Sequence, residues 1–293
     1  MHSKLQAAEY RRDAFLAFLA FVIAVFLWQV HGLYFLTYPF RLFVTMIHEL
    51  GHGLAAILTG GSFVRYEVIE GGAGLAYTSG GSRFFIIQAG YLGTALFGAA
   101  LLFFSNRARH PGRIAIGLGL FIGILALLYS GLRVANLSPV EIVVTAIMLV
   151  AATYLILMSD TNQGRYAGLG IIVIGALLLI WFAGVGSTLL TVIVGLTSAL
   201  VLIVIGYYAD RDVVMVTLNF LAFLLGLQAI NDAWVLFKIV SAPRSMMPLN
   251  DAASMAQAYG GSAAVWALGW IMLDGLLFGT AVYFTFVRLA RRD

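Results

Sequence analysis

The sequence predicts an all-α polytopic membrane protein with about 8–9 transmembrane helices and a small β-hairpin inserted after the second helix. Three observations predict it. The chain has 293 residues, of which 62% are hydrophobic and 10% charged, with a mean hydropathy of +0.98. Soluble domains carry about 25% charged residues, so this chain has too little charge to coat a water-facing globule. Apolar runs recur along the chain, each near the ~20 residues that cross a hydrocarbon layer of ~30 Å. Residues 62–82, SFVRYEVIEGGAGLAYTSGGS, break that texture with a β-rich, glycine-punctuated stretch too polar to span.

Taken in order, residues 1–13 form a polar N-terminal tail with Lys4, Arg11 and Arg12 ahead of the first apolar run. Basic residues there favour a cytosolic N-terminus. Ala14–Gln29 reads as the first span, and His31, close to Trp28 and Tyr34, as an interfacial residue. Pro39 and Arg41 open the second span, which stops at Gly60-Gly61. Phe63, Arg65, Glu67 and Ile69 then alternate with Val64, Tyr66 and Val68; a turn at Gly71-Gly72 and a second strand at Ala76–Thr78 complete the hairpin.

Phe84–Phe104 reads as the third span, with Gly90, Gly93 and Gly98 allowing close helix packing. A loop bearing Arg107, Arg109, His110 and Arg113 follows, then spans at 114–132, 138–158, 166–183, 188–207, 213–238 and 263–287. With nine spans the N-terminal tail and Arg288–Arg292 face opposite sides of the membrane, against the usual charge bias; eight spans and a re-entrant segment bring them together. The organisation is thus a tail (1–13), a front core with the hairpin (14–104), middle helices (105–212) and late helices (213–293), with no linker or internal repeat. The net charge of +4 gives no reason to invoke nucleic acid. Without cysteine, any metal must be held by histidine and carboxylate.

The second span carries FRLFVTMIHELGHGLAAILTGGS, in which His48, Glu49 and His52 are spaced His-Glu-x-x-His. Residues four apart on a helix lie about 40° apart around the axis and about 6 Å along it. Two imidazoles at that offset can share one metal ion, while Glu49 projects from the adjoining face toward a water on that ion. An ionisable residue inside a membrane costs about 2.5 kcal/mol or more, so such a cluster marks function.

A hydrolytic zinc site needs a third protein ligand. The candidates are Asp232 in a late span, Asp251 opening a short helical stretch after a proline-containing loop, Asp274 in the last span, and Glu141 in the first turn of the fifth. Asp251 can also serve as a helix N-cap, and Asp232 can pair with Arg133. Spacing alone does not separate Asp251 from Asp232.

The chain resembles the site-2 protease group of intramembrane zinc metalloproteases, nearest to its bacterial and plant branch. The matching residues are HELGH at 48–52, LTGG at 58–61, the hairpin through Gly72 and Gly74, and QAGYLGTALFG at 88–98, with PLNDAASMA at 248–256 a weaker late match. The resemblance implies a Zn2+ cofactor, Glu49 as general base, and His48, His52 and an aspartate as ligands. It tips the third ligand toward Asp251, with Asp232 second and Asp274 third. It also implies a membrane-protein substrate cut in or near its transmembrane segment, and a multi-pass protein of the bacterial plasma membrane. Substrate contacts are expected from Gly60, Gly61, Val64, Tyr66 and Asn231, with residues 63–69 as an edge strand that pairs with an unwound substrate. The rival readings are a non-proteolytic, partner-binding relative of the same fold and, less favoured, a metal-binding transporter. Transporters usually show several polar helices and internal repeats, whereas here polarity is concentrated on one helix and a few late residues.

Overall fold

A computed structural model describes residues 2–29, 34–131, 161, 163–166, 168–170, 172–174, 186–241 and 250–287. The expected span 138–158, much of 166–183, and the residues His31, Arg133 and Glu141 lie outside the described residues.

The chain opens with α1 (His2–Gln29) and α2 (Tyr34–Leu58), followed by β1 (Ser62–Val68) and β2 (Gly74–Ser79). Next come α3 (Arg83–Gln88), α4 (Tyr91–Ser105) and α5 (Pro111–Tyr129). The later helices are α6 (Ser187–Tyr208), α7 (Arg211–Ser241), the short α8 (Asp251–Tyr259) and α9 (Ala263–Val282), which widens into a π-helical turn at Tyr283–Val287. Among the described residues, α5, α6, α7 and α9 are long and apolar enough to cross a membrane, and α4 is a shorter apolar helix.

The core is helix against helix. Leu42, Met46 and Leu50 of α2, Leu102 of α4 and Leu218 and Leu225 of α7 are buried in one cluster. Small residues let the helices close on one another: Gly98 of α4 sits against the backbone of Ala222 and Gly226 on α7, and Gly112 of α5 against Gly206 of α6. Where α4 ends, Asn106 Nδ2 donates to Oδ1 of the buried Asn219 of α7 at 2.6 Å, a polar tie between the two helices.

β1 and β2 form an antiparallel pair, interrupted by a bulge at Val64, between Phe63 and Arg65. The turn between them is tied to α2: Tyr38 donates to the Glu70 carbonyl and Thr45 to the Gly72 carbonyl, both at 2.8 Å. The outer edge of β1 is not fully open. Val68 N–H donates to Thr191 Oγ1 of α6 at 2.7 Å, and Ser187 of the same helix donates to Glu67, which also pairs with Arg65. α6 therefore takes up part of the edge of the strand expected at 63–69, at Val68. β2, which pairs only with β1 among the described residues, supplies the remaining edge.

One further expectation is corrected. The span expected at Phe84–Phe104 is broken at Ala89-Gly90 into α3 and α4. The start of α1 and the described end of the last helix lie at one end of the bundle. Arg12 pairs with Asp212 and Arg211 with Asp13, so the start of α1 lies beside the α6–α7 junction. Gly112 against Gly206 brings the α4–α5 loop to that end, and Arg107 donates to the Phe284 carbonyl, which brings the end of α9 there too. Arg11, Arg12, Arg107, Arg109, Arg113 and Arg211, all exposed, therefore share one end of the bundle.

That arginine-rich end is expected to face the cytosol. With no native cysteine, single Arg109→Cys and Arg12→Cys variants can be probed with a membrane-impermeant thiol reagent. Both are expected to react in inside-out vesicles and not in intact cells; the opposite pattern reverses the orientation.

Candidate metal centre

α2 places the motif. His48 and His52 lie one helical turn apart and their rings meet at 4.9 Å between centroids, at 75°. Position and aim are fixed separately for each ring. The Ile86 carbonyl on α3 lies 2.6 Å from His52 Nδ1. A carbonyl only accepts, so Nδ1 donates to it and Nε2 is the nitrogen turned toward the cluster. A hydrogen bond of this kind on the far nitrogen is what orients a metal-binding imidazole.

The third donor arrives from about 200 residues further along the chain. α8 begins because the Asn250 side chain accepts from Ala253 N–H at 2.9 Å, so Asn250 and not Asp251 is the N-cap. That leaves the Asp251 carboxylate free in the first turn. Ala252 and Met255 dock the helix into a pocket of Ile87, Ala233, Leu236 and Trp270. Asp251 Oδ2 thereby stands 3.5 Å from His48 Nε2 and 3.6 Å from His52 Nε2. One ligand atom from each of the three residues lies within 4.8 Å of the others. Donors 2.0–2.2 Å from one tetrahedral ion stand about 3.3–3.6 Å apart, so the separations from Asp251 to both imidazoles fit a single cation. Burial alone would raise the Asp251 carboxyl, but hydrogen bonding and charge interaction with the two histidines hold it well below the usual carboxylate range.

The other acidic candidates fall elsewhere. Asp232 of α7 accepts from Gln228 at 2.7 Å; it lies within electrostatic reach of His48 but outside the three-residue cluster. Asp274 of α9 is fully buried, and among the described residues neither of its oxygens has a hydrogen-bond partner. Among the described residues, only His48, His52 and Asp251 form a group able to hold a metal ion.

Glu49 is buried beside the cluster, within electrostatic reach of both histidines, Asp251 and the backbone of Ala76 on β2. β2 comes this close because position 74 has no side chain. A Cβ there would meet Glu49 Oε1 at 2.5 Å. Position 90, at the α3–α4 break, is equally tight: a Cβ would collide with His48 Nε2 and sit 2.5 Å from His52 Nε2. These two close approaches leave room for the carboxylate and for the cluster.

Of the expected substrate contacts, Gly60 and Gly61 end α2 and open the hairpin, with Gly61 packed on Gly80-Gly81. Val64 is exposed at the bulge, and Asn231 is half-buried on α7 next to Asp232. Tyr66 is a correction. It is fully buried, with its hydroxyl against Gly195 of α6, so it fills the core under the sheet rather than lining a groove. Two residues that the sequence reading passed over also reach the cluster. Tyr91 meets the His48 ring at 4.7 Å, and Trp270 stacks on Tyr91 at 5.0 Å. Tyr91 falls inside the QAGYLGTALFG stretch without its spacing marking it, and Trp270 reads only as a tryptophan in the last span.

The family described as Peptidase M50B-like matches residues 17–173. This is more than half of the chain and includes α2 and the hairpin, and the chain belongs to that family. Neither a curated protein nor a solved structure matches the chain.

Gly90→Ala tests the tightness of the centre. With Ala89 and Gly90 held between two helices, the added methyl has only the imidazoles to displace. The variant is expected to fold with an unchanged circular dichroism spectrum and to lose at least about tenfold in zinc affinity. Wild-type affinity would mean that the rings do not point where the geometry places them.

Proposed function

We propose that this member of the Peptidase M50B-like family is an intramembrane zinc endopeptidase that cuts a membrane protein in or near its transmembrane segment. The observation that carries the reading is the arrival of Asp251 between His48 and His52, with Glu49 alongside. A transporter would need polar groups along a path, whereas here the donors converge on one point beside a carboxylate.

His48, His52 and Asp251 would hold the ion, which when bound supplies Lewis acidity and a nucleophilic water near neutral pH. Glu49 accepts a proton as the water oxygen adds to the scissile carbonyl, and returns it to the nitrogen as the C–N bond breaks. Burial keeps bulk water from competing for that carboxylate. Asp251, with 30% of its side chain exposed, marks the side from which water and substrate reach the cluster.

A substrate helix has every backbone group satisfied, and must unwind before an amide is accessible. β2 offers the unwound strand its partner. It lies against Glu49 and pairs only with β1 among the described residues, so an added strand would pass its carbonyls beside the cluster.

The test uses the purified full chain in detergent or lipid nanodiscs with a transmembrane peptide library. Glu49→Gln is expected to retain zinc and lose cleavage by at least about a hundredfold. His48→Ala and Asp251→Ala are expected to lose the metal, while Asp232→Asn keeps it. Cleavage at the wild-type rate by Glu49→Gln would sink the mechanism. A zinc-loaded wild-type chain that cuts no peptide would favour a partner-binding role.

A further inference from the structure

We infer that Tyr91, backed by Trp270, is the positioning residue that aims His48 at the metal, an aromatic plate standing in for a hydrogen bond. The inference rests on the metal-site reading above.

The two imidazoles are held by unlike means. His52 has its Nδ1–H anchored on the Ile86 carbonyl. His48 has no such bond among the described hydrogen bonds; its Nε2 stands 3.5 Å from the Asp251 oxygen that it shares with His52. Nothing among the described hydrogen bonds therefore fixes the tilt of the His48 ring. What meets it instead is the Tyr91 ring, at 87° and 4.7 Å between centroids. Perpendicular ring contacts of this spacing are favoured by the aromatic quadrupole.

Tyr91 is itself fixed. Trp270 of α9 lies parallel to it, at 13° and 5.0 Å, and is almost fully buried. The Trp270 indole N–H donates to Gln88 Oε1 at 3.2 Å, and the Gln88 amide donates to the Phe84 carbonyl at 3.0 Å. The plate is thus clamped between α9 and α3. Gly90 completes the arrangement: its missing side chain lets the chain pass the imidazoles, and the next residue delivers the ring. The line from His48 through Tyr91 and Trp270 to Gln88 also joins the metal helix to the helices that dock α8, the carrier of Asp251.

The experiment measures zinc affinity of the full chain in detergent by competition with a chromophoric chelator, and the visible spectrum after cobalt(II) loading. The unfolding midpoint of each metal-free variant is recorded beside them. Tyr91→Phe keeps the ring and is expected to bind within about twofold of wild type, with the same cobalt bands. Tyr91→Leu keeps the bulk without the ring face; it is expected to weaken binding by about 10–100-fold and alter the cobalt bands. If Tyr91→Leu does not fold, Trp270→Leu carries the test, with a loss of at least about threefold expected. Wild-type affinity and spectrum in the leucine variant that folds would overturn the inference. So would a loss in Tyr91→Phe equal to that in Tyr91→Leu, which would give the role to the hydroxyl. A wild-type chain that binds no zinc would instead overturn the metal reading.

Discussion

The contact on which the rest of the structure depends is the approach of one carboxylate oxygen to two imidazole nitrogens, at 3.5 and 3.6 Å, inside a chain that is otherwise hydrocarbon. Three polar side chains so placed are costly to bury, and each piece of the local architecture serves to hold them. α3 gives up a carbonyl to His52, α8 is capped one residue ahead of Asp251, and glycine stands at the two positions where a methyl would strike the cluster or its neighbouring carboxylate. Around this point the bundle is held by small-residue contacts and buried aliphatic side chains, forces that locate helices without dictating chemistry.

The hairpin is the second element bound to that centre. It is pinned at its turn to α2 through Tyr38 and Thr45, and along its outer strand to α6 through Thr191. These attachments decide which strand remains available. β1 gives part of its edge to α6, at Val68, and β2 is left lying over Glu49. A two-stranded sheet alone is marginal in water; here its anchors come from two helices, which fix its position relative to the His48, His52 and Asp251 cluster.

Much of the centre was legible in the sequence because its signal is local. The His-Glu-x-x-His spacing needs only helical periodicity, and the hairpin needs only an alternating run broken by glycines. Asp251 was legible in part: the short helix after a proline-containing loop could be read, but its distance from His48 could not. Nothing in the spacing of Asp232, Asp251 and Asp274 encodes which helix docks beside α2; that is set by the shape of Ala252 and Met255 against Trp270 and its neighbours. The break at Ala89-Gly90 was hidden for a similar reason. The segment is uniformly apolar, and its interruption follows from a carbonyl turned toward a histidine on another helix. Tyr66 misled because alternation assigns a strand's faces without saying which face is covered.

The late origin of Asp251 has a consequence for the life of the chain. As the polypeptide emerges from the ribosome, both histidines and the glutamate enter the membrane long before the third ligand exists. Until α8 has been synthesised and has docked, the nascent chain holds only an incomplete donor set. On the proposed reading, the site would become able to hold its ion only once the C-terminal helices have assembled.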